Sequence, residues 1–151
     1  MPATYYPLVG FYFQVVFTAT DFVAETSFQE VSGLTVELPV EEVVEGGQLQ
    51  FVHRLPKPAR YSNLVLKRGL ASDSKLRAWV VKAVTEFQFV PANVQATVML
   101  LDETASPRMT WNVHNVRPAK WELSAFDAKD PGNLVIETLE LAFDYFDLAK
   151  G

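Results

Sequence analysis

The sequence predicts a mostly β domain, a barrel or sandwich, with one flanking α-helix over about residues 73–87. Three observations carry that expectation. Apolar residues alternate with polar ones in many short runs, the period of a strand that buries one face. A single stretch carries apolar residues at helical period instead. Proline and glycine pairs separate the runs where turns are needed.

The elements follow in order. Phe11, Phe13, Val15 and Phe17 alternate with Tyr12, Gln14 and Val16, a strand with both faces partly apolar. Leu34, Val36 and Leu38 lie on one face of a second extended region, with Thr35 and Glu37 on the other. Gly33 interrupts that region and predicts a bulge or a close backbone approach. Gly46-Gly47 reads as a reverse turn, and the return arm alternates Leu49, Phe51, His53 and Leu55 against Gln48, Gln50 and Val52. Pro56 and Pro58 end it, and Leu64 to Lys67 begin another strand.

Leu76, Trp79, Val80, Ala83, Val84 and Phe87 form one apolar stripe, so this stretch is helical. Ser72 or Asp73 supplies the N-cap, and Pro91 follows the end. Val94, Ala96, Val98 and Leu100 then alternate with Gln95, Thr97 and Met99. Trp111 and Val113, then Trp121, Leu123 and Ala125, predict two short strands. Leu139, Leu141, Phe143 and Tyr145 predict one more. Turns are expected at Ser106-Pro107, Arg117-Pro118 and Asp130-Pro131-Gly132. The expected organisation is a single domain over 1–151, with an N-terminal arm over 1–9 and a protruding hairpin over about 38–60.

Composition narrows the function. The 151 residues are 49% hydrophobic, enough to bury a core without cross-links. No apolar run is long enough for a membrane helix, and no basic stretch precedes an apolar one at the N-terminus. There is no cysteine, which removes disulfides, thiolate nucleophiles and cysteine metal sites. The net charge of −5 lacks the basic footprint of a nucleic-acid binder.

Candidate chemistry is sparse. His53 and His114 lie in unrelated strands without metal-ligand spacing and read as structural. No nucleophile elbow or phosphate loop is present. Trp79, Trp111 and Trp121 read as core, with an aromatic sugar platform as the rival for the last two. Glu37, Glu41, Glu42 and Glu45 crowd one segment with no basic residue among them. A carboxylate pair for acid–base hydrolysis is one reading. An exposed acidic loop is another. The third is a subunit interface in which these glutamates meet Arg54, Lys57, Arg60, Lys67 and Arg68 of a neighbouring copy. No catalytic residue, cofactor or metal is therefore expected.

The order of several segments carries a resemblance. Tyr6-Pro7-Leu8-Val9-Gly10-Phe11-Tyr12-Phe13, Phe28 to Leu34 with its F-x-x-V-S-G-L pattern, Glu45-Gly46-Gly47, Asn63 to Gly69, Trp111 to Trp121 and Ile136 to Phe143 resemble the contractile tail tube family. That family includes T4-like phage tail tubes and the inner tubes of extracellular contractile injection systems. The resemblance implies a fold similar to the type VI secretion tube protein. It implies a non-enzymatic structural subunit, assembled in the bacterial cytoplasm into a phage tail or phage-tail-like particle. Homohexameric rings stack into a conduit driven through a target envelope by sheath contraction. Implied partners are the subunit itself, a sheath protein, baseplate and tube-terminating proteins, and cargo in the lumen. No membrane anchor and no specific nucleic-acid binding are implied. A specialised baseplate-proximal initiator ring and a small-ligand-binding β-barrel remain as alternatives.

Overall fold

The computed structural model describes residues 11–20, 22–44, 53–70, 75–124 and 135–149. The expected arm over 1–9, the Gly46-Gly47 turn, Glu45, the Ser72 or Asp73 cap, Ala125 and the Asp130-Pro131-Gly132 turn lie outside them.

Within those residues the chain forms twelve strands and one helix. The strands are β1 (Tyr12–Ala19), β2 (Phe22–Phe28), β3 (Glu30–Ser32), β4 (Val36–Glu37), β5 (Val40–Val43) and β6 (His53–Pro56). They continue as β7 (Arg60–Tyr61), β8 (Leu64–Gly69), β9 (Val94–Leu101), β10 (Pro107–Leu123), β11 (Ile136–Ala142) and β12 (Tyr145–Leu148). The helix α1 spans Lys75–Glu86, between β8 and β9. The main sheet is antiparallel, in the order β2-β1-β9-β10-β11-β8-β3, with β12 added to β10.

One step turns this sheet into a barrel. β2 pairs with β1, and β3 pairs with β8 at the far end of the strand order. Only Gln29 separates β2 from β3, and its N–H donates to the Lys67 carbonyl at 2.9 Å. The chain therefore crosses from one edge of the sheet to the other in a single residue. Alternation puts Val15, Phe17, Val94, Ala96, Val98, Leu64, Leu66, Leu139 and Leu141 inside the closed wall, all buried. α1 lies against this wall with Leu76, Trp79, Val80 and Ala83 buried. Trp79 reaches the Phe17 and Phe22 rings at centroid distances of 6.1 and 5.8 Å.

The mostly β barrel with a flanking helix is the predicted fold, and four local expectations differ. Arg117-Pro118 is no turn: β10 runs through it as one 17-residue strand. Pro118 sits at a register shift between Pro118 and Lys120, a bulge that tolerates a residue without an N–H. There β10 exchanges β9 and β12 for β11 as its partner. The strand predicted to reach Tyr145 breaks at Phe143-Asp144, where the Asp144 N–H bonds to the His114 carbonyl at 3.0 Å. At the end of β9 it is Leu101 rather than Leu100 that is buried, beside a further register shift where Pro107 and Met109 pair with successive residues. Last, Val84 and Phe87 of the helical stripe are exposed, and Phe87 lies outside the helix, where α1 has ended at Glu86 and its φ of +55° takes it off the helical path.

Gly33 meets its expectation. Its φ is +88°, and a Cβ there would lie 1.9 Å from the Asn63 carbonyl oxygen. Only glycine allows this close crossing at the point where the chain leaves the barrel.

Candidate assembly surfaces

After Gly33 the chain runs out as a two-stranded ribbon. Val36 pairs with Tyr61 and Glu37 with Arg60 at its base. Val40 to Val43 pair with Pro56 to His53 further out. The base is clamped by Tyr61, whose ring meets Phe143 and Phe146 edge-on at 5.7 and 5.1 Å. Beyond it, Val36, Leu38, Val40, Val44 and Leu55 are all exposed. A lone two-stranded ribbon is marginal in water, and an exposed apolar one invites another chain.

The sequence-predicted interface residues fall into three groups. Glu37, Glu41, Glu42, Arg54, Lys57 and Arg60 all lie on this ribbon and are exposed. Glu42 and Arg54 face each other in the same chain at 3.9 Å, a weak exposed pair. Lys67 lies elsewhere, on a polar groove across β3, β8, β10 and β11 that also holds Glu30, Glu122 and Glu140. Arg68 departs from expectation. It is 6% exposed and its Nε donates to Glu137 Oε2 at 3.2 Å, so its charge is used inside the subunit.

That inward pairing belongs to a polar knot the sequence reading did not single out. Glu137 is 0% exposed, on β11. Its Oε1 accepts from Arg77 Nε at 2.8 Å and Trp121 Nε1 at 3.0 Å. Its Oε2 accepts from Arg77 Nη2 at 2.9 Å as well as from Arg68. Arg68 also donates to Thr26 Oγ1 at 2.7 Å and lies over the Phe28 ring. Four elements (β2, β8, α1 and β10) are thus tied to one carboxylate. Burial pushes the Glu137 pKa up, but the Arg77 and Trp121 hydrogen bonds and both guanidinium charges outweigh it and hold it below the usual range. The one available signal was the placing of Glu137 on the buried side of a strand that alternates with Leu139 and Leu141.

Two smaller constellations finish the polar surface. Asp102 closes the β9–β10 turn, accepting from the Thr104 hydroxyl and from the Thr104 and Ser106 N–H groups. These bonds, with Arg108 beside them, pull its pKa down to about 2. His114 meets Asp147 at 2.7 Å and stacks on Tyr145, which pins β12 to β10. Both are structural roles. Among the described residues no group of three His, Cys, Asp or Glu is placed to hold a metal, and no helix is long and apolar enough to cross a membrane.

β12 bonds to a strand on one side only among the described residues, leaving an edge for pairing.

The fold matches known proteins. A chain in the baseplate of the anti-feeding prophage, described as 6-fold symmetrised, superposes with a TM-score of 0.81 at 26% identity, over 97% of both chains. A chain of the sheath/tube terminator of an extracellular contractile injection system, PVC, gives 0.73 at 20% identity, over 99% of this chain and 100% of that one. Hcp1 from Flavobacterium johnsoniae gives 0.50 at 13%, over 91% and 96%, a likeness of fold. No curated protein matches the sequence. The pattern of the T4-like virus tail tube protein gp19 matches residues 9–147, nearly the whole barrel and its ribbon, and the chain belongs to that family.

Proposed function

We propose that this chain is a structural subunit of the inner tube of a contractile phage tail or phage-derived injection system. Six copies close into a ring by pairing the open edges of their sheets, and rings stack into a hollow conduit. The observation that carries this reading is the exposed apolar face of the ribbon, with Val36, Leu38, Val40, Val44 and Leu55 uncovered among the described residues. Pairing across subunits removes the open edges as well. The subunit is a passive wall with no reaction to perform. Its partners are further copies of itself, a sheath, baseplate and terminating proteins, and cargo in the lumen. Assembly takes place in the bacterial cytoplasm.

A ring of six at −5 each carries about −30 before counterions, enough to repel acidic cargo wherever that charge faces the lumen. A specialised ring at one end of the tube is the second reading, favoured by the baseplate chain's TM-score of 0.81. Negative-stain microscopy of the purified chain separates the two. Tubes with a central hole support the main-tube role, and single rings that never stack with baseplate partners present support the end ring. A uniform monomer carrying a bound small molecule would replace both with the ligand barrel.

The ribbon charges make a further prediction. Glu41→Lys with Glu42→Lys reverses two of its exposed acids and is expected to weaken assembly at least tenfold, more at low salt, where screening is least. Sedimentation at two ionic strengths checks this. Unchanged assembly at both would remove the ribbon's acids from the contact.

A further inference from the structure

The barrel wall changes partners at two corners. β10 has β9 beside it up to Val116 and β11 beside it from Arg117. Past Val116 the side that β9 occupied has no strand among the described residues. The chain makes a like change at Gln29, from β1 beside β2 to β8 beside β3, and β3 pairs with no second strand among the described residues. Residues 117–123 and β3 are therefore the two free edges of one four-stranded sheet, β10-β11-β8-β3. All its pairings are antiparallel. With four strands the two edges run in opposite directions. Rotation about a ring axis keeps strand directions, so a head-to-tail seam between copies is antiparallel again. The other half of the wall, β2-β1-β9-β10-β12, has five strands, and the same seam there would set two parallel strands side by side, the weaker pairing.

Alternation sorts the two faces of the four-stranded sheet. Its inner face carries Leu66, Leu139 and Glu137, and α1 reaches it through Arg77. Its outer face reads across the strands in two rows. Ser32, Val65, Glu140 and Lys120 are paired in one, and Glu30, Lys67, Thr138 and Glu122 in the other. None of the large exposed hydrophobic residues lies in these rows, and a polar groove follows them. Such a face suits water rather than a dry contact, whose centre is apolar.

We propose that β3 of one copy pairs with residues 117–123 of β10 in the next copy around the ring, and that the outer face of this sheet lines the lumen. The occupant is a second copy because the chain carries both halves of the seam on one sheet, in matching directions. Room grows with radius in a ring, so α1 and the five-stranded half lie outward and the bare polar face turns to the hole. Charge selects the register. With Lys120 opposite Ser32, Glu122 would stand against Glu30, and like charges directly opposite destabilise a sheet. Two residues along, Lys120 stands opposite Glu30 and Glu122 lies beyond β3. The lumen face then sets Glu30 beside Lys67 and Glu140 beside Lys120, so cargo of neither sign is held. The inference rests on the tube reading and names the seam of its ring.

Because the chain has no cysteine, the seam can be trapped cleanly. Within one copy residues 30 and 120 are three strand spacings apart, ~14 Å, and a disulfide needs Cα atoms within ~7 Å. Glu30→Cys with Lys120→Cys, oxidised after assembly, is expected to give a disulfide ladder that ends at six copies, while neither single variant gives one. Tubes without a ladder, or tubes whose ladder runs past six, overturn the seam and leave the tube reading standing. No rings and no ladder overturn both. Thr138→Cys supplies the second arm. In tubes it should react with a small maleimide, and at least tenfold more slowly with a maleimide carried on a protein wider than the hole, while the dissociated subunit reacts with both. Equal reaction with both in tubes puts the face outside, and reaction with neither puts it in a contact. Either result overturns the lumen wall.

Discussion

Glu137→Gln is expected to destabilise the dissociated subunit by about 3–5 kcal/mol, the usual cost of breaking one member out of a buried ion cluster. The substitution keeps shape and some hydrogen bonding. It leaves the guanidinium groups of Arg68 and Arg77 in a site where the carboxylate is fully buried and bonded on both oxygens. The same group sets a pH dependence. Its folded pKa lies below the ordinary 4.5, so its contribution is complete above about 4.5 and is lost as pH falls through the lower folded value. The Gln variant should lose that part of the acid sensitivity. Urea unfolding at pH 7 and pH 3 measures both effects. An unfolding free energy at pH 7 within about 1 kcal/mol of wild type would mean that the knot contributes little.

The knot also shows which features were legible in the sequence. Alternation between apolar and polar residues located the strands around Val15, Val98 and Leu139, because burial of one face leaves a period-two record. The helix was legible for the same reason at period 3.6. Glu137 was not, since its partners are Arg68, Arg77 and Trp121, from three separate elements, and only the folded barrel brings them together. Arg68 was misread for a related reason. A strand's two faces are equivalent in sequence, and a charge on one reads as exposed until a buried carboxylate is found opposite. Pro118 misled in another way: proline stops a ladder only where its missing N–H is needed, and at the β10 bulge it is not. Phe87 keeps the stripe's period in sequence but follows the end of α1, with a φ of +55°. Periodicity alone does not reveal the residue at which a helix ends. Among the ribbon residues, charge drew attention to Glu41 and Glu42, but the exposed Val36, Leu38, Val40, Val44 and Leu55 make the stronger case for a contact.

Gly33→Ala tests how the barrel and the ribbon are joined. The new Cβ would stand 1.9 Å from the Asn63 carbonyl oxygen, 2.8 Å from its carbonyl carbon and 3.1 Å from the Leu64 Cα. All three are backbone atoms, so no flexible side chain can swing aside. The φ of +88° adds strain that alanine cannot relieve in place. Overpacking and backbone strain together are expected to cost about 2–6 kcal/mol. The relief available is to move Asn63 away, but Asn63 leads directly into β8, whose Leu64 and Leu66 are fully buried, and its side chain holds Glu140 at 3.0 Å. Moving the strand breaks the core. Moving residues 34–36 instead tilts the ribbon, which the core tolerates and assembly does not. The variant should therefore lose ring and tube formation under conditions where the subunit still gives a cooperative unfolding transition. Ser32→Ala, one residue earlier on an exposed position, should change neither. Normal tubes and an unshifted transition from Gly33→Ala would show that the two chain segments do not cross so closely, and that the ribbon's direction is not fixed there.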